Sequence, residues 1–504
     1  MKLVTVPQMI ALEKQADASG LSYVQMMQNA GIGLAKIVHE IGVQHHWKKV
    51  VGLVGSGNNG GDTLVALTWL AQNGWDASAY LVKTRDDDLT INFLTVGGKI
   101  IKQDESFFHL SSSITESDVT LDGVLGTGIK LPLKKEASEV LNFVKYLKPK
   151  FVVAVDCPSG VDCDSGECAD ETIPANLTVT MAAVKGGLLK LPAFEKVGKI
   201  KLVEIGLTDE MLSEIKIDVA DDEMVSALLP KRTSASHKGT FGTAFVIAGS
   251  TSYTGAALLA GTAAYRIGTG LVTMAVPETL HSALAGHLPE ATWVLLPHEN
   301  GFISESASDV VLNNLNRATS ILIGPGLGNK ETTKKFIEKL LPSIKIPMLI
   351  DADGLRHVKD SLSLLHNAVL TPHVGEMSAL TGLSKEEIQN NREEVAKKYA
   401  KQWNCIVVLK GAFTIIASPD ERMTIIPVAT PALAKAGTGD VLASLITGLL
   451  AQGLNPYDAA VAGAYIHGKA GLRSAEKLGT TASVLASDVV DSVPEIISKI
   501  EFKS

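Results

Sequence analysis

Cysteine is scarce: the 504 residues include four, Cys157, Cys163, Cys168 and Cys405. Their spacing does not make a zinc knuckle and pairs no two of them obviously, so reduced thiols are the expectation. No run of about 20 apolar residues occurs, which argues against a helical membrane span. The opening stretch, Met1-Lys2-Leu3-Val4-Thr5-Val6-Pro7, lacks the apolar core of a secretory signal, and a cytoplasmic location is expected. Lys and Arg number 46 against 54 Asp and Glu, a net charge of −8. No basic footprint for nucleic acid follows from that balance. The motif G-x-x-x-x-G-K-[ST] is absent, so this is not a P-loop protein. What is present is 46% hydrophobic and 20% charged residues, a globular composition. The length predicts about two to four domains.

One stretch near the C-terminus carries chemistry on its face: Ala436-Gly437-Thr438-Gly439-Asp440, followed by Val441-Leu442-Ala443-Ser444-Leu445-Ile446-Thr447-Gly448-Leu449-Leu450. The apolar positions predict a helix with one broad buried face, ended near Gly453. Glycines before a helix let a ligand approach the backbone, and the free N–H groups of the first turn suit phosphate oxygens. Asp440 in that turn is either an N-terminal cap or a base that takes a proton from a hydroxyl.

The first half alternates strand and helix. Two helices over 9–45 precede a Val-rich strand at Lys48–Val54, which runs into Gly55-Ser56-Gly57-Asn58-Asn59-Gly60-Gly61-Asp62. A helix through Leu64–Leu70 and a strand at Ala77–Val82 complete a βαβ unit and predict a parallel sheet. The loop matches G-x-G-x-x-G, yet the acid that should close the second strand is missing; Lys83-Thr84-Arg85 stands there. Its Asn and Asp groups exceed what a phosphate turn needs and could grip a sugar or amide, or offer oxygens to a cation. Two further strands deliver polar groups at their carboxyl ends: 119–125 into Gly126-Thr127-Gly128, and 151–155 into Asp156-Cys157-Pro158-Ser159-Gly160-Val161-Asp162. Ligands in open α/β sheets bind beyond such ends.

These motifs resemble the NAD(P)HX epimerase family (YjeF N-terminal), over roughly residues 8–210. The resemblance implies interconversion of the R and S epimers of hydrated NADH or NADPH. It implies potassium held by Asn59, Asp122 and Ser159. It also implies substrate contacts from Asn58, Asn59, Gly60, Gly61, Asp62, from Gly126, Thr127, Gly128, Ile129, Lys130, Leu131, Pro132, and from Asp156, the leading acid–base candidate. Thr63 departs from the Gly common in the family, and altered packing at a helix start is expected from it. Lys185 is a second proton carrier or, in the blander reading, an exposed or structural lysine.

Thr208–Glu223 reads as an acidic, irregular linker. Beyond it a strand at Thr243–Ile247, a polar turn and a helix through Arg266 resume the alternation. Strands then lead to Gly324-Pro325-Gly326-Leu327-Gly328, Asp351-Ala352-Asp353, Thr371-Pro372-His373-Val374-Gly375-Glu376 and Lys410-Gly411. His373 could instead cap the next helix, and Lys410 could be a strand end meeting solvent. In order and spacing this half, about 225–500, resembles the ribokinase-like superfamily and, more closely, the ADP-dependent NAD(P)H-hydrate dehydratase family (YjeF C-terminal). Val374 stands where Pro is common, and Gly354-Leu355-Arg356 where Ala-Leu-Asn is usual.

The expectation is an α/β chain of two domains: 1–215, a Rossmann-like three-layer epimerase sandwich, and 221–504, a ribokinase-like dehydratase. The resemblance implies that the second removes water from the S epimer with ADP as co-substrate, leaving AMP and phosphate. It implies Asp440 as base, and Lys410, Gly411, Ala412, Phe413, Thr414, Gly437, Thr438 and Gly439 at the nucleotide. It implies Ala256, Gly326, His373 and Asp440 at the hydrate, with Mg²⁺ as phosphate counterion. A homo-oligomer is expected. The alternative is a small-alcohol kinase carrying a non-catalytic N-terminal binding module.

Overall fold

A computed structural model describes residues 1–365 and 368–501. The chain divides into two compact units, Met1–Ile217 and Asp218–Ser504. Among the described residues no helix is long and apolar enough to cross a membrane.

The first unit is built on a seven-stranded sheet. Its order is Lys99–Ile100, Asp76–Leu81, Lys49–Val54, Val119–Gly123, Val152–Val155, Leu177–Met181, Lys199–Val203, with every neighbouring pair parallel. The central strands Lys49–Val54, Val119–Gly123, Val152–Val155 and Leu177–Met181 are almost wholly buried, as parallel strands under helices must be, while the edge strands Lys99–Ile100 and Lys199–Val203 are partly exposed. After Lys49–Val54 the chain builds outward on one side, then returns to build on the other. The strand order therefore reverses between Lys49–Val54 and Val119–Gly123, and a crevice opens beyond their carboxyl ends. Gly55 sits at that point because a Cβ there would lie 1.9 Å from the Val124 carbonyl oxygen.

Asn58–Asp62, read as a loop, forms the first turn of the helix Asn58–Gln72. Thr63 consequently lies inside the helix rather than at its start. Its hydroxyl donates to Asn59 O at 2.7 Å, and it fills the space left by Gly52 and Gly123.

The second unit holds a ten-stranded sheet. The strands Ile406–Leu409, Ala368–Leu370, Met348–Ile350, Ser320–Ile323, Thr243–Ile247, Leu271–Pro277 and Thr292–Leu296 run parallel in that spatial order. Ile415–Ala417 and Met423–Ile425 continue it antiparallel, an interruption of the β/α alternation that three-residue strands did not announce. Here the order reverses between Thr243–Ile247 and Ser320–Ile323.

The helix Thr438–Ala451 is buried around its whole circumference rather than on one face. It lies between the sheet and two other helices: Ser320 Oγ donates to Thr447 O at 2.9 Å, Gly448 meets Ile267, and Gly463 meets Ile446. Burying Leu445, Ile446 and Leu449 is worth about 1.5–3 kcal/mol each, which fixes the glycine-rich N-terminus against the sheet.

Thr208–Glu223 is not irregular. Thr208 caps a short helix, Asp209–Leu212, Ile217–Val219 is a strand, and Asp221 caps the helix Asp222–Leu228. Most of the acidic residues that suggested a linker sit at helix N-termini: Asp221 accepts from Met224 N, and Asp209, Glu210, Asp222 and Glu223 lie in first turns, where they suit the helix dipole.

Candidate functional sites

In the first unit a cavity of about 770 Å³ opens at the switch point. It is lined by Asn58, Asn59 and Asp62 from the helix turn, Gly126, Thr127, Gly128 and Ile129 from the next strand end, and Asp156 and Lys185. Gly60, Gly61, Lys130, Leu131 and Pro132 do not line it. Gly60 packs on the Gly55 backbone and Arg85, and Gly61 on Met27. The place of the missing ribose-binding acid is taken by Arg85. Its guanidinium donates to Gly55 O at 2.8 Å and Gly57 O at 3.1 Å and pairs with Asp87 at 2.6 Å. The glycine turn is thus clamped to an arginine.

Asp122 and Ser159 lie beneath the cavity floor, both fully buried. Ser159 Oγ donates to Asp122 Oδ1 at 2.5 Å, and Ser159 N to Asp122 Oδ2 at 2.9 Å. Leu125 joins this pair to Asn59: its amide donates to Ser159 Oγ at 2.9 Å, and its carbonyl accepts from Asn59 Nδ2 at 2.9 Å. Asn59 also donates to Val155 O at 2.7 Å. Three strand ends therefore bring together carbonyl, hydroxyl and carboxylate oxygens. Burial pushes the Asp122 carboxyl up despite its Ser159 hydrogen bonds. Among the described residues no cationic side chain is paired with it. A buried carboxylate amid neutral oxygens is a donor set that fits a monovalent cation.

Asp156 adopts a left-handed backbone, φ 63°, a conformation that costs a non-glycine residue about 1–3 kcal/mol. Its Oδ1 accepts from Met181 N at 3.0 Å and Thr180 Oγ1 at 3.2 Å, and from Lys185 Nζ. Lys185 is not exposed. It is 1% exposed, on a two-residue strand paired with Leu3–Val4, and its ammonium also reaches Met181 O at 2.9 Å. A buried lysine keeps its charge through such partners. Glu13, on the first helix, lines the same cavity, and sequence reasoning missed it. Burial pushes its carboxyl up.

In the second unit the polar groups converge on the N-terminus of the helix Thr438–Ala451. Gly437 (φ 87°) is the N-cap residue, and Asp440 stands in the first turn behind it rather than at the cap position. Lys410 Nζ meets Asp351 Oδ1 at 2.6 Å and Glu376 Oε2 at 3.6 Å; it is not a strand end in solvent. Burial works against the ammonium, but Asp351, Glu376 and Asp440 outweigh it and hold its pKa up. Thr371 donates to Asp351 Oδ1 at 2.7 Å, whereas Asp351 Oδ2 is buried with no hydrogen-bond partner. A Cβ on Gly439 would stand 3.6 Å from Lys410 Nζ and 3.9 Å from Asp351 Oδ2. The first turn, the ammonium and the orphan oxygen thus face one space. Burial, then the charge of Asp351, pushes Asp440 up to about 7.

The remaining expected residues surround this space unevenly. Gly326 (φ 64°) lies against Ala256 and Tyr253, where a Cβ would approach within 2.8 Å of either side chain. Ser250 Oγ bonds Gly326 O at 2.8 Å. Asp353 still reaches its loop, accepting from Gly328 N at 2.8 Å, so Gly354-Leu355-Arg356 does not disturb that contact. His373 does cap a helix: its Nδ1 accepts from Gly375 N at 2.9 Å and Glu376 N at 3.2 Å, with the ring exposed. Lys410–Thr414 turns sharply through Gly411 (φ 151°) and Phe413 (φ 54°), closed by Thr414 Oγ1 to Gly411 O at 3.0 Å; Ala412 lies within that turn. Two residues here went unnoticed in sequence. Arg392 packs its guanidinium against Gly411 and donates to Leu409 O at 3.0 Å. His467 is buried behind Thr438, its pKa pushed down to about 4 by burial; a histidine inside an Ala- and Gly-rich helical pattern gives no local signal.

Two α/β units, each gathering charged groups at a switch point, define an enzyme with two separate sites. Residues 24–187 match the family model for the YjeF-related protein N-terminus, and 244–495 that for NAD(P)H-hydrate dehydratase. The bifunctional NAD(P)H-hydrate repair enzyme of Moorella thermoacetica is 34% identical, covering 99% of this chain and 97% of its own. Its namesake from Salinibacter ruber is 32% identical, over 95% and 93%. A ribokinase-like superfamily protein from Enterococcus faecalis shares the fold of the second unit. It matches with a TM-score of 0.51 and 24% identity over 56% of this chain and 96% of that one. The chain belongs to the bifunctional NAD(P)H-hydrate repair enzyme family.

Proposed function

We propose that the second unit dehydrates the S epimer of hydrated NADH or NADPH at the expense of ADP, while the first interconverts the R and S epimers. The observation that carries this reading is the cluster of Asp440, Lys410 and Asp351 at an open helix N-terminus. Hydroxide is a poor leaving group, and phosphorylation makes it a good one. Asp440, with a pKa of about 7, is suited to take the hydroxyl proton near neutral pH. The amides of Gly437, Thr438 and Gly439 would hold the transferring β-phosphoryl group and its developing charge. Lys410 adds a cation beside them, and Gly411, Ala412, Phe413 and Thr414 would hold the nucleotide. Ala256, Gly326 and the exposed ring of His373 would contact the hydrate. Phosphate elimination then restores the ring and leaves AMP.

Among the described residues no group of three or more His, Cys, Asp or Glu side chains could hold a metal. Magnesium would therefore come with the phosphates, and Asp351 Oδ2 is the acceptor that fits one of its waters; bound there, the ion would neutralise phosphoryl charge. Potassium would be held in the first unit by Asn59, Asp122 and Ser159, where it would tie the three strand ends together and offset the substrate's diphosphate. Asn58, Asn59, Asp62, Gly126–Ile129 and Asp156 would face the substrate, with Gly60, Gly61 and Lys130–Pro132 shaping the loops behind. The alcohol-kinase alternative, with its non-catalytic binding module, gives the paired Asp156 and Lys185 in the cavity of the first unit no chemical task.

The test is incubation of the protein with purified S and R hydrates and ADP or ATP, following absorbance of the restored reduced ring. Nucleotide-dependent recovery from S, with R consumed faster than its spontaneous inversion, is the expected result. No recovery from S with either nucleotide would overturn it.

A further inference from the structure

We propose that Asp62 is the second proton carrier of the first unit, donating to the ring nitrogen of the hydrate while Asp156 receives the proton of its hydroxyl. The proposal rests on the epimerase reading above. Asp62 projects from the first turn of the helix Asn58–Gln72 into the cavity that Asp156 and Lys185 line. It is 9% exposed, yet among the described residues its carboxyl has no hydrogen-bond or ion-pair partner. Asp156, by contrast, is held by Lys185, Thr180 and the Met181 amide. A buried carboxylate with no donor is unfavourable, whereas a buried carboxylic acid is a proton donor awaiting an acceptor. Burial, with Asp156 and Glu13 nearby, pushes Asp62 well above the ordinary carboxylate range. The two groups thus differ as an acid and a base must: one is anchored by a cation, the other is left without one.

The chemistry follows from the substrate. Water adds to an enamine at the carbon bonded to nitrogen, so the hydrate is a hemiaminal. The Asp156 carboxylate takes the hydroxyl proton, and the O–H electron pair becomes the second carbon–oxygen bond. The carbon–nitrogen bond breaks, its pair goes to the ring nitrogen, and that nitrogen takes the proton of Asp62. Rotation about the neighbouring carbon–carbon bond turns the other face of the aldehyde to the nitrogen. The reverse steps close the ring and return each proton to its owner. No other reactant is needed. An alternative through loss and return of water would exchange the hydroxyl oxygen with solvent, whereas ring opening keeps it.

The experiment uses the full chain without nucleotide, so that dehydration is silent, and separates R from S by chromatography as purified R hydrate inverts. Wild type should invert it above the spontaneous rate and retain the hydroxyl oxygen when the reaction runs in ¹⁸O-water. Asp62→Asn should lose about 10²–10⁴-fold of the enzymatic rate, at an unchanged unfolding temperature. The groups facing Asp62 are Glu13, Asp156 and Lys185. The wild-type rate should fall as alkali removes the Asp62 proton; Glu13→Gln should keep that fall, and the residual activity of Asp62→Asn should lose it. Failure of wild type to accelerate inversion would overturn the epimerase reading itself. Inversion by wild type with near-normal activity in Asp62→Asn, or an ¹⁸O atom gained at each inversion, would overturn this assignment alone.

Discussion

The acid limb of the dehydratase is the most direct test of the second site. Asp440 has a pKa of about 7 against an ordinary 3.8. A raised carboxyl loses its charged form as pH falls through the raised value, so the base is half available at pH 7. It is about 90% available at pH 8 and about 10% at pH 6. The value of kcat/KM for the S hydrate should therefore drop about tenfold from pH 8 to pH 6, where an unperturbed aspartate would leave it flat. The neighbours set the midpoint in opposite senses: Asp351 raises it and Lys410 lowers it. Asp351→Asn should move the midpoint down by about one unit, and Lys410→Met up by about as much. Both variants will lose activity in absolute terms, so the shape of the profile is what decides. Steady-state assays at saturating ADP across pH 5–9 measure it, and comparison within the set cancels the titration of ADP itself. A wild-type profile flat above pH 5, or a limb that stays in place in both variants, would refute Asp440 as the base.

Asp440→Asn keeps size and hydrogen bonding; dehydration should fall about 10²–10⁴-fold with ADP affinity by calorimetry nearly unchanged, and near-normal turnover would count against the mechanism. Gly439→Ala should fold normally, because its Cβ would meet nothing closer than 3.6 Å, yet block the phosphoryl position; retained dehydration would mean that the phosphate lies elsewhere. Asp122→Ala should slow R-hydrate inversion, and wild type should invert R faster in potassium than in a large organic cation; equal wild-type rates in the two salts would show that no functional potassium sits there. His467 is neutral in the folded state down to about pH 4 but titrates near 6.5 when unfolded. The unfolded chain then binds the extra proton, and stability is lost as pH falls from 6.5 to 4, by about 3 kcal/mol; denaturant titrations of wild type and His467→Gln across that range should diverge.

Strand positions were readable because the core strands are short Val-, Ile- or Leu-rich runs, several stopped by Gly or Asp, as Lys49–Val54 is by Gly55 and Met348–Ile350 by Asp351. Thr243–Ile247 has the expected limits. The polar ends were readable for the same reason: a parallel sheet delivers them to one edge. Segments whose residues serve two purposes were misread. Asn58–Asp62 looks like a loop because Gly and Asn favour turns, yet burial of the following helix draws those residues into its first turn. The acids of 208–223 look like linker, yet Asp221 caps a helix and four others stand in first turns. The short strands Ile415–Ala417 and Met423–Ile425 depend on pairing more than on local pattern.

Lys185 shows where local pattern stops being informative. A lysine after Ala182-Ala183-Val184 reads as the end of an apolar run meeting water. It is buried because its strand pairs with Leu3–Val4 and its ammonium finds Asp156, and no window of sequence contains both partners. The consequence reaches the chemistry. Sequence can say that Asp62 and Asp156 are carboxyl groups near one edge of a sheet. Which of them is paired with a cation is decided by the fold: the Lys185 ammonium bonds Asp156, while burial, before any neighbouring charge, pushes Asp62 up. On the roles proposed above, moving that ammonium to Asp62 would remove the difference that sets donor apart from acceptor, so the lysine positions the pair.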